Sequence, residues 1–217
     1  MQVYPEHELD AVPGLPEPLP AGEHILWQGS PDWRRLAIEA FHVKRLTLYF
    51  TAMGGLQALL SWRAADGIAA NLSSLMVSAW LALIALGLLT LMAWLSARTT
   101  IYTLTNKRVV MRIGIVLTVS FNLPLRWLAA AHLKANADGS GDIALELKGA
   151  DRIGYLHLWP HARPWHVGKP QPSLRCLPDG VAVGEVLRRA WRVRLAEVGD
   201  IEPQERIPVR MPASAMA

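Results

Sequence analysis

The chain has 217 residues, of which 52% are apolar and 18% charged, with a formal net charge of +4. Soluble domains carry about a quarter charged residues, and here the deficit is local: no Asp, Glu, Lys or Arg occurs from Leu46 to Trp62 or from Gly67 to Ala97. This pattern argues against an ordinary cytosolic enzyme of one compact domain, and the lone Cys176 rules out a disulfide framework or a Cys-based metal cluster within one chain.

Residues 1–22 form an acidic, Pro-rich arm, expected to be extended. No basic leader with an apolar core follows Met1, so the first apolar segment is read as its own insertion signal. Residues 23–42 hold an alternating strand, Glu23 to Gly29, and a pre-membrane segment. Residues 43–96 are read as a transmembrane helical hairpin. The uncharged part of its first arm, Leu46–Trp62, spans about 26 Å as a helix, with Lys44 and Arg45 snorkelling, and its second arm is longer. Arg34, Arg35, Lys44 and Arg45 precede the pair and Arg98, Lys107, Arg108 and Arg112 follow it, against Arg63 alone in the connection. The positive-inside rule then predicts a multi-pass inner-membrane protein with both termini cytoplasmic. Thr51, Gly54, Gly55 and Ala58 on the first helix, and Ser78, Ala82 and Ala85 on the second, are small residues at spacings that let helices approach closely, within the hairpin or onto another membrane protein.

After Arg98 the hydrophobic period becomes two. Strands are predicted at 100–105, 108–113, 115–123, 125–133, 143–147, 153–159 and 174–177, with turns at Asn106-Lys107 and Asp138-Gly139-Ser140-Gly141. Asp179 is the expected N-cap of a closing amphipathic helix whose apolar face runs from Val183 through Val186, Leu187, Ala190 and Trp191. Residues 97–200 are therefore predicted to form an antiparallel β-barrel or sandwich closed by that helix, and 201–217 a flexible tail. The predicted class is an α+β membrane protein.

Gly22-Glu23-His24-Ile25-Leu26-Trp27-Gln28-Gly29-Ser30-Pro31 before the hairpin, and Tyr102-Thr103-Leu104-Thr105-Asn106-Lys107-Arg108-Val109-Val110 after it, resemble bacterial membrane proteins with a pleckstrin-homology-like domain. Three further stretches (Val12 to Pro20, His157 to Trp165, Lys169 to Arg175) resemble the PuhB family of photosynthetic complex assembly proteins of purple phototrophic bacteria. The resemblance runs from about Val12 to Val198. It implies a PH-like cytoplasmic domain and a non-enzymatic factor, acting as an oligomer, that helps build the photosynthetic reaction centre in the inner (intracytoplasmic) membrane. Reaction-centre subunits and the lipid bilayer would be its partners. The alternative is a general PH-domain membrane protein that binds anionic lipid or an unrelated envelope partner.

No histidine falls inside either span, so a pigment ligand at membrane depth is not expected, and no cofactor is. Pro160 and Pro164 oppose the helix that would make His157 and His161 a metal pair. The sequence holds no Gly-rich phosphate loop, nucleophile elbow or His-Glu-x-x-His, and no nucleic-acid-binding motif. His157, Trp159, His161, Arg163, Trp165, Lys169 and Arg175 read either as a partner-docking loop, being rich in the residue types of interface hot spots, or as a loop folded over its own core. Arg188, Arg189 and Arg192 on the last helix read as a solvated face or as contacts to anionic headgroups.

Overall fold

A computed structural model of the chain describes residues 14–15, 18–63, 68–148 and 153–199. The first thirteen residues, the 64–67 connection and the tail expected beyond 200 lie outside them. Seven strands form two antiparallel sheets. The first holds β1 (Ile25–Gly29), β2 (Ile101–Thr105), β3 (Arg108–Ile113) and β4 (Val119–Pro124) in that order; the second holds β5 (Leu128–Ala135), β6 (Gly141–Leu147) and β7 (Ser173–Leu177). Of the barrel or sandwich expected from the alternating segments, the closed barrel is not formed and two separate sheets are: a 3-10 turn at Leu125–Trp127 breaks the chain between them, and β4 and β5 do not pair.

The strand before the helices does return to the sheet. β1 lies antiparallel to β2, with Gln28 opposite Thr103 and Gly29 opposite Tyr102. A polar clasp holds this edge. The buried Glu23 carboxylate accepts from Arg108 Nε at 2.7 Å and from Thr105 Oγ1 at 2.8 Å, while Asn106 Nδ2 donates to the Gly22 carbonyl at 2.9 Å. The two motifs flanking the helices thus bind each other.

Three helices stand between β1 and β2. α1 (Trp33–Glu39), absent from the sequence reading, is capped by Asp32, whose side chain accepts from the Arg34 N–H at 2.9 Å. It buries Leu36 and Ala37, with Phe41 just beyond, against Ala93, Ala97 and Cys176. α2 (Val43–Arg63) and α3 (Ile68–Thr99) run side by side. Only the stretch Asn71–Thr99 is long and apolar enough by composition to cross a membrane among the described residues, so the expectation of two spanning helices is not met on that criterion. Thr47, Thr51 and Gln57 lower the apolarity of α2.

Two other predicted strands change form. The segment 115–123 becomes a strand only at Val119, because Gly114, at φ +128°, starts a turn in which a Cβ would meet the Leu117 carbonyl oxygen at 1.9 Å. Residues 153–159 hold not a strand but a single helical turn, α4 (Tyr155–Leu158), with Pro160 after it unable to donate to a ladder. The Asp138-Gly139 turn joins β5 to β6 as expected, with Asp138 accepting from the Ser140 N–H and hydroxyl and held in place by Arg35.

α5 (Gly180–Gly199) closes the space between the sheets. Val183, Leu187 and Ala190 pack into a core with Tyr102, Leu104, Met111, Leu128, Leu145 and Leu177. Leu187 is almost wholly enclosed, so Leu187→Ala is expected to cost about 2–5 kcal/mol through lost burial and the remaining cavity. A lowered denaturation midpoint of the purified protein, with helix content preserved by circular dichroism, is the expected result.

Candidate functional site

Only Thr100 separates the end of α3 from the start of β2. Around this joint lies a buried polar network. The Tyr102 hydroxyl accepts from the Arg175 N–H at 3.3 Å and shares a hydrogen bond with His161 Nδ1 at 2.6 Å. The other ring nitrogen, His161 Nε2, lies within 3.1 Å of Thr100 Oγ1 and 3.3 Å of Ser96 Oγ, so both nitrogens of the ring have hydroxyl partners. His161 is 1% exposed, and burial, aided by the Arg175 charge, pulls its pKa down to about 3, so the ring is neutral. Burial pushes the Tyr102 phenol upward as well. The network is a neutral rivet between the last turn of α3 and the domain.

Of the seven loop residues expected to dock a partner, two are therefore interior. His161 is the rivet. Arg175 is 5% exposed, with Nε 3.6 Å from Asp142 Oδ2 and Nη1 donating to the Pro160 carbonyl at 3.3 Å. The remaining five stay at the surface. His157 is exposed on α4. Trp159 stacks edge-on to Phe41 with centroids 5.0 Å apart. Arg163 donates to Gln171 at 2.8 Å, and Lys169 to Glu146 at 3.2 Å, which with His132 holds the Glu146 carboxyl below its usual range. Trp165 is 92% exposed. The segment is thus partly a cover over the core and partly the wall of a groove.

That groove has a volume of about 930 Å³ and lies between α1, the first turn of α2, strands β5 and β6, and the 155–167 segment. Lys44, Arg45, Lys134, Arg163 and Arg175 line it against two carboxylates, Glu39 and Asp142. Glu39, Asp142 and Cys176 hold their ligand atoms within 4.8 Å of one another, the spacing of a metal site. Their chemistry opposes it. Asp142 is engaged by the Cys176 N–H at 2.7 Å and by Arg175, and burial together with Asp142 pushes the Cys176 thiol up to about 12, away from the thiolate a metal needs.

On the helices, the small residues separate by face. Gly54 lies toward α3 beside Gln57, which donates from Nε2 to Ser74 Oγ at 3.1 Å and accepts from Ser78 Oγ at 3.0 Å. Ser78, Ala82 and Ala85 are partly covered, whereas Thr51, Gly55 and Ala58 are exposed on α2. On α5, Arg188 pairs with Glu185, while Arg189 and Arg192 face solvent.

The bacterial PH domain family matches residues 48–191, from within α2 to within α5. The chain belongs to this family. A relative from Rhodobacter capsulatus, entitled "Uncharacterized 23.7 kDa protein in puhA 5'region", is 37% identical over 195 residues, covering 88% of this chain and 91% of its own length. No solved structure matches. In this bacterial PH domain the residues that sequence reasoning missed are Ser96, Thr100 and Tyr102, whose partner His161 lies about sixty residues away, and Lys44, Arg45 and Asp142 of the groove.

The rivet has a pH signature. The folded pKa of His161 lies below the ordinary 6.5, so between 6.5 and 3 the unfolded chain binds the extra proton and stability falls as pH falls. Above 6.5 the effect is absent. Denaturation midpoints between pH 7 and pH 4.5 are expected to show this loss, with a limiting slope of about 1.4 kcal/mol per pH unit, and His161→Gln is expected to flatten it while lowering stability at pH 7.

Proposed function

We propose that this bacterial PH domain protein is a non-enzymatic inner-membrane assembly factor for the photosynthetic reaction centre, with α2 and α3 crossing the bilayer as a pair and its sheets on the cytoplasmic face. The observation that carries the membrane reading is the pairing of β1 with β2. β1 precedes α2 and β2 follows α3, yet the strands are hydrogen-bonded neighbours. A single crossing by α3 would leave them on opposite sides of the bilayer. The number of crossings is therefore even, and an α3 that spans requires an α2 that spans.

α2 is suited to this despite its polar residues. Thr47 and Thr51 donate to backbone carbonyls one turn earlier at 2.9 Å, and Gln57 is bonded to Ser74 and Ser78. These three side chains thus have partners inside the helix pair, as a lipid surrounding demands. Lys44, Arg45 and Arg98 gather at the same end, with Arg98 over the Trp94 ring at 5.3 Å, which favours a cytoplasmic domain.

Support for the assembly role comes from the resemblance of the 157–175 segment to the PuhB family, and from a relative whose title puts it beside puhA. Gly55 and Ala58 are small, exposed and outside the α2–α3 groove that Thr51 and Gly54 line, so they offer a close-approach surface to the helix of a nascent reaction-centre subunit or of a second copy of this chain.

Three measurements test the reading. The chain should resist alkaline extraction from membranes, and its release would end the spanning model. Deleting the gene in a phototrophic host should reduce reaction-centre yield severalfold, and Gly55→Leu with Ala58→Leu should reduce co-purification of reaction-centre subunits while leaving the protein membrane-bound. Unchanged yield would overturn the assembly role.

A further inference from the structure

The groove and the tip of the β3–β4 hairpin share the end of the domain where α3 leaves it. Ile101, two residues after α3, is paired with Arg112, and Ile113 packs on Leu158 and Ala162 next to the 155–167 segment. Beyond Ile113 the hairpin tip holds Ile115, Val116 and Leu117. Val116 is 90% exposed and Leu117 82%, which water disfavours and a membrane interface does not. The groove opens beside Lys44 and Arg45 in the first turn of α2, and among the described residues neither makes an ion pair. Behind them lies Arg175, enclosed, its Nε too far from Asp142 Oδ2, at 3.6 Å, for a hydrogen bond but close enough for an ion pair. Asp142 answers Arg175 and Glu39 answers Lys134 at 3.8 Å, so Lys44, Arg45 and Arg163 are left, among the described residues, as three groove cations without a carboxylate partner, and that surplus calls for an anion. Ile38, Leu133, Trp159 and Trp165 supply apolar walls beside that charge.

We propose that this groove binds the phosphate group of an anionic membrane phospholipid, held by Lys44, Arg45 and Arg163 with Arg175 behind them, while Val116 and Leu117 enter the same leaflet. The assignment rests on α2 and α3 spanning the bilayer, because that puts the groove at headgroup depth. It moves the lipid contact away from Arg188, Arg189 and Arg192 on α5. A free phosphate carries the same charge but none of the apolar tail that the Trp-lined walls accommodate, so the lipid is the better-matched source.

The test uses the full chain in mild detergent, with bound lipid counted by native mass spectrometry during titration with dioctanoyl phosphatidylglycerol, dioctanoyl phosphatidylcholine or inorganic phosphate. Saturable phosphatidylglycerol binding is expected, at least tenfold tighter than phosphatidylcholine and displaced by phosphate only at far higher concentration. Lys44→Gln with Arg45→Gln, two exposed positions whose loss leaves the fold intact, should weaken it at least tenfold; Arg188→Gln, Arg189→Gln and Arg192→Gln together should not. Equal binding by the groove variant, loss only in the α5 variant, or phosphate competing as well as the lipid would each overturn the proposal. So would a groove variant that keeps its lipid but loses reaction-centre subunits, since the groove would then be a protein-docking surface. A chain that resists alkaline extraction but shows no phosphatidylglycerol preference sinks the groove alone, whereas release at alkaline pH sinks the spanning reading on which it rests.

Discussion

A single residue between α3 and β2 constrains the whole molecule. Thr100 leaves no slack for the sheet to swing relative to the helix, and its hydroxyl, with that of Ser96, is tied through His161 to Tyr102 and onward to the Arg175 backbone. Packing of α1 against both α3 and Cys176 adds a second strut on another side. The domain is therefore carried at a set attitude on the helices. Which loops lie at the helix end follows from sheet register and not from a flexible linker, and so does the pairing of an apolar hairpin tip with a basic groove.

The best-recognised motifs of the chain turn out to be architectural. Glu23, Asn106 and Arg108 join the strand before the helices to the hairpin after them, and Thr105 is shared by Glu23 and the Arg108 backbone carbonyl. A buried carboxylate held this way is costly to break because its partners would be left unsatisfied. Chemistry that distinguishes one family member from another has to lie elsewhere, and in this chain the exposed candidates are the groove, the hairpin tip and the outward face of α2.

Elements with a strong local period were legible in the sequence. β1, β2, β3, β6 and α5 follow from alternation or from a 3.6-residue stripe, and Asp138-Gly139 marks its turn unaided. Interactions that span long stretches of chain were not. His161 looks like a surface histidine among prolines until Ser96, Thr100 and Tyr102 close around it, and Arg175 looks like an exposed cation until Asp142 meets it. α4 was read as a strand because four residues are too few to show a helical period. The facing of α2 is also hidden, since Thr51, Gly54, Gly55 and Ala58 share similar spacing and it takes the Gln57 bonds to Ser74 and Ser78 to reveal which side meets α3.

The position of β1 has a temporal consequence. During synthesis the strand emerges long before β2, its only neighbour in the sheet, and every residue of α1, α2 and α3 must follow first. That edge of the first sheet consequently closes only after all three helices have been made, and the Glu23 carboxylate waits for Arg108 until then. With α2 and α3 crossing the bilayer as proposed, that seam closes only after both passes are complete, and an unzipped edge strand is then the mark of a failed insertion.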